Sequence, residues 1–65
     1  MRIFLNGEPT DVQAHELAAA LTELGYGDAV VATAVNESFV PASARQATAL
    51  REGDRVEVLA PRQGG

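Results

Sequence analysis

The sequence predicts an α+β fold of two layers, a mixed sheet of about five strands packed on one main helix. Three observations carry that expectation. Asn6-Gly7 stands between two short extended runs. Residues 14–24 are rich in strong helix formers and carry leucines on one face. The second half of the chain reads as three further strands parted by turns. Two strands, a helix and three strands, in that order, leave the helix one place to go, across one face of the sheet. A single helix held by a mixed sheet is the β-grasp arrangement.

Each element has its own warrant. Asn-Gly suits both left-handed positions of a two-residue type I′ turn, so Met1–Leu5 and Glu8–Val12 form a hairpin. Taking Asn6-Gly7 as the loop places Leu5 opposite Glu8, Phe4 opposite Pro9, Ile3 opposite Thr10 and Arg2 opposite Asp11. Opposed residues share a face. One face then receives Met1, Ile3, Leu5 and Val12, and the other receives the Arg2–Asp11 charge pair with Phe4 and Pro9. Pro9 has no amide hydrogen, which puts its strand at an edge or a bulge.

Ala14 to Leu24 predicts the helix. Leu17, Leu21 and Leu24 recur at i, i+4 and i+7 and form its buried stripe. Gly25 suits the position just past its end, and Glu16 falls in the first turn, where a carboxylate complements the helix dipole. Val30 to Val35 is apolar on both faces and predicts a strand well inside the sheet. Asn36-Glu37-Ser38 is a turn, Phe39-Val40-Pro41 a short strand, and 42–50 an irregular connector with one helical turn begun by Ser43. Glu52-Gly53-Asp54 turns into a last strand, Arg55–Ala60, expected beside the first and parallel to it. The expected organisation is one domain, 1–60, followed by a flexible tail, 61–65.

Composition narrows the function. A chain of 65 residues buries only about 60% of the surface its unfolded form exposes. With no cysteine, neither disulfides nor cysteine-ligated zinc can reinforce it, so a patterned apolar core must, and 46% hydrophobic residues can supply one. One histidine among scattered acids gives no metal-ligand spacing, and there is no room for a deep catalytic pocket. Five arginines and no lysine against nine acids give a net charge of −4, a poor match for nucleic acid. No apolar stretch approaches the length of a membrane span, and no charged-then-apolar leader opens the sequence. Cytoplasm is the expected compartment.

The last two residues, Gly64-Gly65, follow a polar stretch, Pro61-Arg62-Gln63. At average glycine usage of about 7%, such a pair at one fixed end has chance odds of roughly one in 200. Glycine leaves the backbone open to approach from every side. The pair makes a thin arm able to carry a carboxylate into another protein's narrow active site.

Four pieces of the sequence, taken together and in this order, resemble the ThiS family of sulfur carriers. They are Ile3-Phe4-Leu5-Asn6-Gly7-Glu8, Ala34-Val35-Asn36-Glu37-Ser38-Phe39-Val40-Pro41, Leu50-Arg51-Glu52-Gly53-Asp54-Arg55-Val56-Glu57-Val58 and Gly64-Gly65. The resemblance implies a ubiquitin-like β-grasp body that is not an enzyme but a protein co-substrate. It implies that the Gly65 carboxylate is adenylated, then converted to a thiocarboxylate that donates sulfur for the thiazole of thiamine, with Gly64 giving clearance. The implied partners are a ThiF-like adenylating enzyme, a ThiG-like thiazole synthase and a sulfur donor of the cysteine desulfurase or rhodanese type. The chain itself would bind no cofactor, ATP being used by the activating partner. MoaD, the small subunit of molybdopterin synthase, shares fold and tail. A ubiquitin-like protein modifier and a plain β-grasp interaction module complete the alternatives.

Interface candidates follow from the predicted faces. Phe4 and Pro9, on the predicted face away from the helix, are expected to form one apolar patch with Leu59 next to the tail, where Arg62 is a further candidate; aromatic anchors are enriched in interface hot spots. Glu52, Asp54 and Glu57 form an acidic face able to steer the chain toward a basic docking surface. His15, isolated near a helix start, is expected to be a solvated surface residue, and Ser38 and Ser43 are turn and cap residues.

Overall fold

The computed structural model describes residues 1–61. Its elements are β1 (Arg2–Leu5), β2 (Glu8–Asp11), α1 (Leu17–Glu23), β3 (Ala32–Val35), β4 (Ser38–Val40), a 3₁₀ helix (Ala42–Ala47) and β5 (Arg55–Leu59). The five strands form one sheet in the order β2-β1-β5-β3-β4. β5 therefore occupies the centre, parallel to β1 and antiparallel to β3.

The first hairpin has the register that the Asn-Gly turn dictates, with Leu5 opposite Glu8 and Arg2 opposite Asp11. Asn6 and Gly7 both take positive φ, 50° and 87°, as a type I′ turn requires. β2 is an edge strand, where Pro9 lacks nothing that the sheet needs.

The core lies between α1 and one face of the sheet. Ile3, Leu17 and Val56 are fully buried, joined by Val12, Ala20, Leu21, Val40, Leu50 and Val58. α1 ends as its sequence predicts. Gly25 has φ 94°, its N–H donates to the Thr22 carbonyl, and the Tyr26 N–H donates to the Leu21 carbonyl, which together make a Schellman cap.

The start of α1 differs from expectation. Residues 14–16 are not helical, because the connector competes for them. The Leu17 N–H donates to the Thr48 carbonyl, the Leu50 N–H to the His15 carbonyl, and Glu16 forms a bridge with Ala49. Glu16 is thus extended (φ −140°, ψ 161°) and caps the helix, its carboxylate accepting from the Ala19 N–H. The Gln13 and Ala14 amides donate to the Glu23 carboxylate, so the approach to the helix is tied to its far end.

β3 lies inside the sheet as expected but begins at Ala32; Val30 is outside it and exposed. The turn after β3 has two residues rather than three. Val35 pairs with Ser38, which opens β4, and Asn36 and Glu37 take positive φ, 50° and 73°. The connector's 3₁₀ helix starts after Pro41 rather than at Ser43, and β5 ends at Leu59, one residue short of the predicted strand. No helix is long and apolar enough to cross a membrane among the described residues.

Candidate functional site

β5 is the strand that leads toward the chain end, and its sequence sorts its side chains cleanly. Val56 and Val58 face the helix, whereas Arg55, Glu57 and Leu59 are exposed on the opposite, open face. Cross-strand pairing carries that face outward. Leu59 lies opposite Ala32, and Glu57 opposite Ala34. Ala34 in turn lies opposite Phe39 of β4. On the other flank, Phe4 lies beside Arg55 and opposite Pro9.

The open face therefore holds two apolar areas rather than one. Phe4 and Pro9 come together as a cross-strand pair. Leu59 stands four residues farther along β5 than Arg55, roughly 13 Å at strand rise, and does not join them. The other large exposed apolar side chain on this face is Phe39, across β3. Both residues are 70% exposed on the strands that flank Ala32 and Ala34, and Glu57 shares the face between them. Phe4 is half-buried and lines a separate groove with Gly7, Glu37, Gly53, Arg55 and Glu57.

Phe39 escapes the sequence reading because Asn36-Glu37-Ser38 reads as a three-residue turn. The two-residue turn pairs Phe39 with Ala34 and settles its face, and Asn36, a residue that tolerates the positive φ such a turn needs, is the signal that marks it.

Two asparagines hold β5 at its ends. Asn36 Oδ1 accepts from the Arg55 N–H at 2.9 Å and its Nδ2 donates to Asp54 Oδ1 at 3.0 Å. Asn6 Oδ1 accepts from the Val58 N–H at 2.9 Å, and Nδ2 donates to the Val58 carbonyl at 3.2 Å. Asp54 also accepts from the Arg51 N–H at 2.8 Å, which closes the turn before β5.

The expected Arg2–Asp11 pair is present on the open face, with Arg2 Nε donating to Asp11 Oδ1 at 2.9 Å. That hydrogen bond and the adjacent positive charge hold the Asp11 carboxyl below its ordinary pKa and raise that of Arg2. Both groups are solvent-exposed, so the pair adds little stability. His15 is exposed, as expected. Among the described residues no group of three or more His, Cys, Asp or Glu is placed to hold a metal ion. Arg62, Gly64 and Gly65 lie outside the described residues.

The ThiS family pattern matches residues 3–65. The chain belongs to the ThiS family. It is 38% identical over 63 residues to the sulfur carrier protein ThiS of Thermus thermophilus, covering 97% of this chain and 98% of the relative. Its fold is similar to the crystal structure of the thiamine biosynthesis protein ThiS from Geobacter metallireducens, with a TM-score of 0.84, 29% identity and full coverage of both chains. A solution structure of a thiamine biosynthesis protein from the same organism aligns with a TM-score of 0.80 and 28% identity, over all of this chain and 88% of the other. The mixed sheet with one helix is the ubiquitin-like β-grasp fold of ThiS. In this ThiS family chain, the matched pattern includes both the strand that leads to the tail and the terminal glycines.

Proposed function

We propose that this chain is a sulfur carrier for thiazole formation in thiamine biosynthesis, with the Gly65 carboxylate as the point of attachment. The observation that carries this reading is the extent of the ThiS family match, which runs through the whole β-grasp body and on to Gly65. The chain acts as co-substrate, and other proteins perform the chemistry.

A carboxylate is a poor electrophile and must be activated. An adenylating enzyme of ThiF type brings ATP, the Gly65 carboxylate attacks the α-phosphorus, and pyrophosphate leaves. A persulfide sulfur on a donor protein then attacks the acyl-adenylate and AMP leaves. The product is an acyl disulfide, and thiol attack on its S–S bond releases the thiocarboxylate, the attacking thiol ending in a disulfide with the donor. A thiazole synthase of ThiG type accepts the sulfur. Gly64 gives the clearance that lets the terminus enter both active sites. The exposed Phe39 and Leu59 stand on the tail-side half of the open face, which suits them for contact with the activating enzyme. A compartment shared with these enzymes, the cytoplasm, completes the reading.

Intact mass after incubation with a ThiF-type enzyme, ATP and a persulfide donor tests the proposal. Replacement of one oxygen by sulfur is the expected result. A covalent conjugate to another protein's lysine would point to a modifier instead, and an unchanged mass would contradict both.

A further inference from the structure

β5 outruns its parallel neighbour. Leu5 lies beside Val56, and the chain then reverses through Asn6-Gly7, so β1 offers no peptide group to Val58. The ladder up to that point is regular, with the Phe4 N–H donating to the Asp54 carbonyl and the Asn6 N–H to the Val56 carbonyl, each at 2.9 Å. The side-chain amide of Asn6 continues it, donating to the Val58 carbonyl and accepting from the Val58 N–H. One planar amide thus stands in for the next peptide of β1. Few residues can do this. The turn needs positive φ at this position, which asparagine tolerates. Aspartate lacks the donor, glycine lacks both groups, and glutamine sets its amide one methylene farther out.

Val58 is the penultimate residue of β5. Its other flank is secured, because Thr33 and Ala32 of β3 pair with Val58 and Leu59. On the β1 side Asn6 alone satisfies the Val58 backbone among the described residues. Without it, an unpaired N–H and C=O would face water at the root of the tail, and a strand end of that kind frays.

We propose that Asn6 is a positioning residue, a latch that fixes where β5 leaves the sheet and so aims the terminus into a partner's active site. It touches no reacting atom. The functional consequence rests on the carrier reading, whereas the latch itself does not. Transfer chemistry is sensitive to aim, since a misplacement of about 1 Å can cost on the order of 100-fold in rate.

The test uses Asn6→Gly, which keeps the left-handed turn and removes both side-chain bonds. Backbone amide exchange followed by NMR should show the Val58 amide losing protection while the Val56 amide keeps it. With a ThiF-type enzyme, kcat for adenylation should fall about tenfold or more while the dissociation constant is unchanged, because the docking face is intact. Leu21→Val, which lowers stability away from the latch, should keep its kcat. An unchanged Val58 amide would overturn the latch with or without a partner enzyme. A freed Val58 amide with normal kcat, or an equal loss of kcat in Leu21→Val, would overturn the positioning role. Failure of the unaltered chain to be adenylated would instead remove the carrier reading, and with it the functional consequence, leaving the exchange result to decide the latch.

Discussion

Glu37 takes φ 73° at a turn position that the first hairpin gives to Gly7, at φ 87°. An L-residue with a Cβ pays roughly 1–2 kcal/mol there, partly offset by the lower chain entropy of a non-glycine residue when unfolded. Glu37→Gly should therefore stabilise the fold by about 0.5–1 kcal/mol, read as a higher denaturant midpoint at unchanged slope; a lower midpoint would contradict the strain. A second expectation concerns Asp11. Its carboxyl is held below its ordinary pKa by the hydrogen bond and charge of Arg2, so the pair's contribution is present above the unfolded value of about 3.9 and is lost as pH falls through the lower folded value. Asp11→Asn should flatten the stability profile below about pH 4, leaving a small, constant deficit above that pH which vanishes in acid, and added salt should shrink the deficit. An equally steep acid limb in the variant would show that other carboxylates carry it. These residue-scale features were unequally legible. Arg2–Asp11 follows from the hairpin register. The paired bonds of Asn6 to Val58, 52 residues away, do not, because no local pattern reports which strand lies beside a turn.

The first hairpin and the helix face were readable because each is decided by neighbouring residues. Asn-Gly sets one register, and the leucine period sets one stripe. Leu17 is fully buried in that stripe, and Leu17→Ala should cost about 2–5 kcal/mol, enough to threaten so small a domain. A loss below about 0.5 kcal/mol in chemical denaturation, the range of an ordinary surface change, would contradict the packing of α1 on the sheet. Where distant segments compete, local reading falls short. Ala14–Glu16 has good helix propensity, yet hydrogen bonds from 15–17 to 48–50 hold it extended and shift the helix start to Leu17. Phe39 was hidden for a related reason, since its face depends on whether Ser38 belongs to the turn or to β4.

At the scale of the whole molecule, the helix covers one face of the sheet and, among the described residues, leaves the other open, while the central strand runs toward the chain end. The exposed Phe39 and Leu59 make the tail-side half of that open face the expected docking area. Phe39→Ala should weaken association with an activating enzyme by about 1–2 kcal/mol and leave the isolated fold nearly as stable, since the ring is 70% exposed. Unchanged binding by calorimetry, or a stability loss as large as the binding loss, would move the interface elsewhere. The central claim is that the body exists to present Gly65. Deleting Gly65 shortens the arm by about 3.5 Å, a displacement large enough to cost on the order of 100-fold or more in rate. ATP–pyrophosphate exchange, measured with a ThiF-type enzyme on the full chain and on the chain lacking Gly65, tests the claim most directly. The expected result is exchange nearly abolished by the deletion at an unchanged melting temperature. Normal exchange without Gly65 would contradict the carrier account.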